Sequence, residues 1–314
     1  MNEIYQYDPL KTKKLIAHGS LFKELIELHE IEKLPRVMLF TGKKGIGKFT
    51  LVNHFLNYVF TKATKHPYSF KKKELDSSSI FYNSLLNGSS QNVIFFNREN
   101  KQNVKIDDIR NLKSQLSKSS LVDRERFIII DEVEFLNVNC VNALLKILEE
   151  PSSNNYFILI SNEQKKILDT LLSRCSKTKV YLSSIDKNNI IDHLTTLYDI
   201  EISSTFNTPD VTPGLFLRYN EILQRNKIDS QDNIFSKINK LLYVYKKNKD
   251  KTVINLCNLL VEQHFYQLAI NNNNRVNLLV NLKISILKNI NDFVEYNLNI
   301  NSVINTIENK LNNG

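Results

Sequence analysis

"VMLFTGKKGIGKFTLVNHFL", residues 37–56, decides the fold. The short apolar run "VMLFT" (37–41) leads straight into "GKKGIGK", after which Leu51, Val52, Phe55, Leu56 and Val59 recur at helical spacing. Strand, glycine loop and helix in that order are the context of a phosphate-binding loop. Gly42, Gly45 and Gly47 let successive backbone N–H groups turn toward one phosphate, and the helix N-terminus adds partial positive charge. Lys48 is placed to reach the terminal phosphates. The next residue of such a loop is Ser or Thr, whose hydroxyl holds magnesium; here it is Phe49. Thr50 comes one step later, and one helical step turns a side chain by about 100°. It therefore points elsewhere unless the helix start is reorganised. Magnesium neutralises charge as the phosphoryl group transfers, so this loss bears on hydrolysis more than on binding.

Outward from the loop, strands and helices alternate. "NVIFF" (92–96), "RFIIID" (126–131), "YFILIS" (156–161) and "TKVYL" (178–182) read as four further strands. The unbroken apolar run of "RFIIID" predicts a strand buried on both faces. "KIDDIRNLKSQL" reads as a helix with Asp107 and Asp108 near its start, where carboxylates suit the dipole. "VNCVNALLKILEEP" sets Val138, Val141, Leu144, Leu145 and Leu148 on one face and is ended by Pro151. The pattern predicts an α/β fold with a five-stranded, mainly parallel sheet covered on both sides. Residues 62–91, polar and rich in Ser with Lys71–Lys73, read as a weakly structured insertion. Past residue 183 a helix follows, with Ser184 as its expected cap. "TPDVTPGL" (208–215) reads as a connector or helix start. No Gly or Pro lies between Gly214 and Gly314, which suits a helical bundle, with "NNNN" (271–274) as an inter-helix turn.

Asp131 and Glu132 close the third strand, at the carboxyl edge where such sheets bind ligands. In P-loop enzymes an Asp here helps hold magnesium, and a neighbouring Glu can orient water. "LLSRCSK" adds Arg174 and Cys175; without a nearby His or Asp, Cys175 reads as a packing residue. The chain of 314 residues carries a net charge of +9, which suits an anionic partner, nucleic acid first, or reflects an AT-rich coding bias. Its three scattered cysteines form no CxxC pair, so neither a zinc site nor a disulfide scaffold is expected. No apolar run nears the ~18 residues of a membrane span. "MNEIYQYDPLKTKK" lacks a signal-peptide core, so a cytoplasmic protein is expected.

Together "GKKGIGK", "FIIIDEVEFLNVNCVNALLKILEEP", "YFILISN" and "LLSRCSKTKVYL" resemble the clamp-loader family of bacterial DNA polymerase III, over residues 17–182. "NALLKILEEP" and "SRC" are specific to that family rather than to P-loop proteins at large. The resemblance is to its delta-prime subunits, with gamma/tau subunits next. It implies an AAA+ P-loop module over 1–182, a small helical lid over 183–225 and an all-α collar over 226–314 that joins the subunits into a ring. It implies gamma/tau and delta subunits as partners, with sliding clamp and primer-template DNA reached through the complex. ATP sits in the loop of such modules. Delta-prime subunits commonly have degraded loops and donate the SRC arginine, here Arg174, to the neighbouring subunit's ATP.

Two departures from gamma/tau support the delta-prime reading: Phe49, and no four-cysteine zinc module between the loop and the second strand. The lid arginine of gamma/tau is answered only by a displaced Arg218 in "TPGLFLR". Lys48, Asp131 and Glu132 are kept, so the expectation is an inherited scaffold loop that can hold ATP without turning it over, with a vestigial loop that holds no nucleotide as the alternative. The alternatives are a gamma/tau-like ATPase and a free-standing DNA-binding protein, with Arg110 and Lys113 as candidate DNA contacts.

Overall fold

A computed structural model describes residues 8–96, 104–117, 125–149, 154–200, 211–229, 231–271 and 275–312. It divides into two compact units. One runs to His193 and includes Thr212–Gly214; the other takes up at Leu194 and holds Leu215 onward.

The first unit is built on a five-stranded parallel sheet of β1 (Val37–Thr41), β2 (Val93–Phe96), β3 (Arg126–Ile130), β4 (Asn155–Ser161) and β5 (Ser176–Lys179). The strand order is β2-β3-β4-β1-β5. The chain leaves β1 toward β2 and leaves β4 toward β5, on opposite faces of the sheet, and open α/β sheets bind ligands at the carboxyl ends of strands where the connections change direction in this way. Alternation along each strand sorts the side chains into two cores. Met38 and Phe40, Phe127 and Ile129, and Tyr156, Ile158 and Ile160 face one core. Val37 and Leu39, Ile128 and Ile130, and Phe157 and Leu159 face the other. Helices α1 (Gly19–Glu30), α2 (Lys48–Thr61) and α3 (Ile80–Leu86) cover the first face. Helices α4 (Ile106–Ser117), α5 (Val138–Leu148) and α6 (Asp169–Leu172) cover the second. This is the doubly covered α/β P-loop module that the strand–loop–helix pattern predicts.

Four local expectations need correction. β5 is Ser176–Lys179, ahead of the expected 178–182: it is a sheet edge whose residues are mostly exposed, so it carries no apolar run. Val138 is 58% exposed, and Cys140 and Ile147 take its place in the core. The helix α7 (Ser184–Tyr198) is capped by Ser183, whose Oγ accepts the Asp186 N–H at 3.0 Å. Residues 62–91 are ordered into the core: Tyr68, Leu75, Tyr82 and Leu85 are buried, and α3 lies within the segment. α5 ends at Leu148, so the expected stop at Pro151 lies outside the described residues, as does most of "NNNN".

A buried polar seam holds the 62–91 segment. Leu75 N–H donates to Lys13 O at 2.8 Å and Leu15 N–H to Lys73 O at 2.9 Å. His54, fully buried, bridges Thr12 O through Nε2 at 3.0 Å and Tyr68 Oη through Nδ1 at 2.9 Å. The Thr12 carbonyl only accepts, so Nε2 carries the proton and Nδ1 accepts from Tyr68. Burial pulls His54 down to about 4, because a charged imidazolium here would be cut off from water. Its folded pKa lies below the ordinary 6.5, so the stability it contributes is intact above 6.5 and is lost as pH falls toward 4. That is about 3 kcal/mol across the window. Urea unfolding at pH 7 and pH 4.5 should show the loss, and His54→Gln should flatten it. An unchanged pH slope in His54→Gln would contradict this assignment.

The second unit contains the later part of α7 and of α8 (Pro213–Arg225), with α9 (Ile234–Asn248), α10 (Lys251–Asn271), α11 (Val276–Glu295) and α12 (Ile300–Asn312). These last four pack in sequence, and α12 returns to α9, enclosing Leu241, Leu242, Val253, Cys257, Val261, Ile286, Ile290 and Ile307.

Candidate phosphate-loop and arginine sites

β1 delivers its chain to the loop at Gly42, and α2 leaves from Gly47. Gly45 and Gly47 have φ of 81° and 96°, in the left-handed region. At Gly42 the constraint is space: a Cβ there would lie 2.2 Å from the Val180 carbonyl oxygen. The loop's carbonyls are held from outside. His18 Nε2 lies 2.7 Å from Ile46 O, and burial holds the His18 pKa below its ordinary value, so the neutral ring donates. Thr212 Oγ1 donates to Lys44 O at 2.7 Å and the Gly214 N–H to Gly45 O at 2.8 Å. With three carbonyls so fixed, the backbone of the loop has a defined path.

Lys48 is 4% exposed, and its Nζ donates to Gly42 O at 2.6 Å and Lys43 O at 2.8 Å. Burial pulls it down to about 8, against Asp131, then Glu134, Glu163 and Glu132, which hold it up. Asp131 Oδ1 accepts the Glu132 N–H at 2.9 Å. Glu132, left-handed at φ 54°, accepts Lys44 Nζ at 3.0 Å and Asn162 Nδ2 at 3.4 Å on one oxygen, Oε1. Glu134, 6% exposed, accepts the Asn162 N–H at 2.8 Å. The structure thus gathers Gly42, Gly45, Gly47, Lys48, Asp131 and Glu132 at one sheet edge. The sequence reading missed Lys44, Glu134, Asn162, His18 and Thr212. "DEVE" and the Asn directly after "FILIS" were the available signals for Glu134 and Asn162.

The cradle fits a phosphate: glycine turns, a helix N-terminus and a buried ammonium converge. Two buried oxygens nearby in sequence and fold, Thr41 Oγ1 and Glu134 Oε2, have no hydrogen-bond partner among the described residues. The magnesium position does not fit. Phe49 packs against the first core with its ring stacked on Phe95, centroids 5.6 Å apart and planes at 28°. It is a packing residue, which a hydroxyl could not replace without opening the core. Thr50 sits one position on, half-buried. Among the described residues no group of three or more His, Cys, Asp or Glu gathers as a metal site, and no helix is long and apolar enough to cross a membrane. Arg218 is engaged within the second unit, donating to Glu221 Oε2 at 2.9 Å and Asp250 Oδ2 at 2.8 Å.

Arg174 lies apart from the loop residues, just beyond α6. Its Nε and Nη2 donate to Glu149 Oε1 at 3.1 and 2.6 Å, and its Nη1 to Thr170 O at 3.0 Å. A third of its side chain is exposed. Cys175 packs against the second core, and burial raises its thiol to about 11, which makes it inert.

The chain is 28% identical over 191 residues to the DNA polymerase III subunit delta' of Buchnera aphidicola subsp. Schizaphis graminum, covering 58% of this chain and 56% of that one. It is 28% identical over 171 residues to the subunit tau of Bacillus subtilis, covering 54% of this chain and 29% of that one. A second delta' subunit, from Buchnera aphidicola subsp. Baizongia pistaciae, is 25% identical over 261 residues, covering 77% and 75%. The first two alignments thus span less than two thirds of those relatives. The family model described as DNA polymerase III, delta subunit, matches residues 17–183. That match takes in more than half of the chain, including the loop, the Asp131–Glu132 strand end and Arg174, and the chain belongs to this DNA polymerase III delta-subunit family, as a delta-prime-like member.

Proposed function

We propose that the protein is a subunit of a DNA polymerase III clamp loader that assists clamp loading without turning over ATP itself. The observation that carries this is Phe49, stacked on Phe95 where a magnesium-holding hydroxyl would stand. The glycine loop and Lys48 would hold the phosphates of a nucleotide, and Asp131 and Glu132 remain as inherited acids. Bound nucleotide supplies a phosphoryl group for transfer, and this chain lacks the hydroxyl that would hold magnesium against it. Arg174 supplies its charge to ATP held by a neighbouring gamma/tau-type subunit. A guanidinium offers planar, permanently charged donors for phosphate oxygens.

The remaining parts take family roles in this proposal. Helices α9–α12 form the collar that meets gamma/tau and delta subunits, and α7–α8 form the lid. The groove between α4 and α5, about 300 Å³ and bordered by Arg110, Lys113 and Lys146 with Asn139 and Asn142, faces the DNA backbone. Such contacts set affinity rather than sequence preference.

The test is purification of the full chain with its native partners, alongside ATP turnover by the chain alone. Gamma/tau and delta subunits should co-purify, and the isolated chain should show no detectable magnesium-dependent hydrolysis. Turnover abolished by Lys48→Ala would favour a gamma/tau-like motor. Salt-sensitive DNA binding by a chain that captures no loader subunit would favour a free-standing DNA-binding protein.

A further inference from the structure

Arg174 does not hang free in solvent. The Nε–Nη2 edge of its guanidinium rests on a single oxygen, Glu149 Oε1, at 3.1 and 2.6 Å. Nη1 is fixed on the Thr170 carbonyl at 3.0 Å, with Ser173 Oγ at 3.3 Å. Both ends of this clasp grow from anchored backbone. Glu149 caps α5, its N–H on Leu145 O, and the preceding Leu148 is 4% exposed. Arg174 N–H bonds Leu171 O at 3.2 Å, and Leu171 is fully buried in the same core as Leu148. The carboxylate and the guanidinium are thus set against each other by one packed layer.

We infer that Glu149 is a positioning residue for Arg174, holding the guanidinium in one pose so that it meets a neighbouring subunit's phosphate already oriented. The inference rests on the reading of Arg174 as donor to that phosphate. A free arginine samples many rotamers, and fixing it at the reacting group would cost entropy at the moment of reaction. Glu149 removes that cost in advance through the Nε edge. The outer Nη2 hydrogen stays available to a phosphate oxygen. The pair adds little to folding, since its side chains are 35% and 50% exposed. Variants should therefore fold and assemble.

The experiment uses the reconstituted loader in which only the motor subunit adjoining this chain keeps a working ATP site. Glu149→Ala should lower DNA- and clamp-stimulated turnover by about tenfold, chiefly in kcat. Glu149→Gln, whose amide oxygen still accepts from Nε and Nη2, should stay within about twofold of wild type. Glu149→Ala combined with Arg174→Ala should equal Arg174→Ala alone, because Glu149 acts through the arginine. Turnover unchanged or raised by Glu149→Ala, or an additive double variant, overturns the inference. Arg174→Ala without effect would instead overturn the donor reading on which it rests.

Discussion

Arg174→Ala in the reconstituted loader should assemble normally and lose about 10²–10³-fold of the ATP turnover at the site it adjoins. The expected size follows from where the charge is needed. As the γ-phosphoryl group transfers, negative charge spreads over its oxygens, and a fixed cation stabilises that state more than the ground state. The loss should therefore appear in kcat, with nucleotide affinity of the neighbouring subunit little changed. Assembly survives because the arginine is an exposed ion-pair partner of Glu149 rather than part of the core. Arg174→Lys keeps the charge but cannot span Glu149 and Thr170 together, so it should recover only a fraction of the rate. Full activity in the Arg174→Ala loader, measured as DNA- and clamp-stimulated phosphate release, would reduce Arg174 to a surface residue.

Gly42→Ala should be the most damaging single-methyl change in the loop. The added Cβ would lie 2.2 Å from the Val180 carbonyl oxygen and 2.8 Å from Ile46 Cδ1. The isoleucine tip can turn aside, but the carbonyl cannot. Val180 N–H is bonded to Thr41 O at 2.7 Å, so retreat breaks the pairing of β5 with β1. Overpacking of this kind costs about 3 kcal/mol, the upper end of its usual range. Gly88→Ala separates the causes: Gly88 has φ 65° with nothing within 4 Å, so it carries only the backbone strain, about 1 kcal/mol. Urea unfolding of both variants measures the difference. A Gly42→Ala chain as stable as Gly88→Ala would mean that the loop path is softer than the clash implies.

Much of the fold and of the candidate site is legible in the sequence. The alternating and continuous apolar runs of β1, β3 and β4 disclose buried parallel strands, because a strand covered on both faces has little polar option. β5 escapes such a reading for the opposite reason: "SKTK" is an edge strand recruited by pairing with β1 rather than by burial. The 62–91 segment looks weakly structured in sequence because its order comes from long-range bonds, such as His54 to Tyr68 and Leu75 to Lys13, and leaves no periodicity. The same limit applies at the candidate site. Glycines, Lys48 and Asp131–Glu132 carry a spacing signature. Glu134 bonding Asn162, Lys44 on Glu132, and Glu149 on Arg174 are meetings of residues from different elements, visible only once the sheet is assembled. Phe49 shows both sides. Its identity flags a lost magnesium ligand in the sequence, and its stacking on Phe95 explains why the loss is built into the packing.

On the proposed function this chain contributes to ATP turnover through Arg174 and not through its own loop. Lys48→Met in this chain tests it most directly. The variant keeps the apolar stem and removes the ammonium on which phosphate binding in the loop would depend. With assembly verified by size-exclusion chromatography, DNA- and clamp-stimulated ATP turnover of the loader should match wild type within about twofold, since on the proposed function no step of hydrolysis passes through this loop. A collapse of turnover comparable to that expected for Arg174→Ala would show that the loop is itself a working ATP site and would contradict the account.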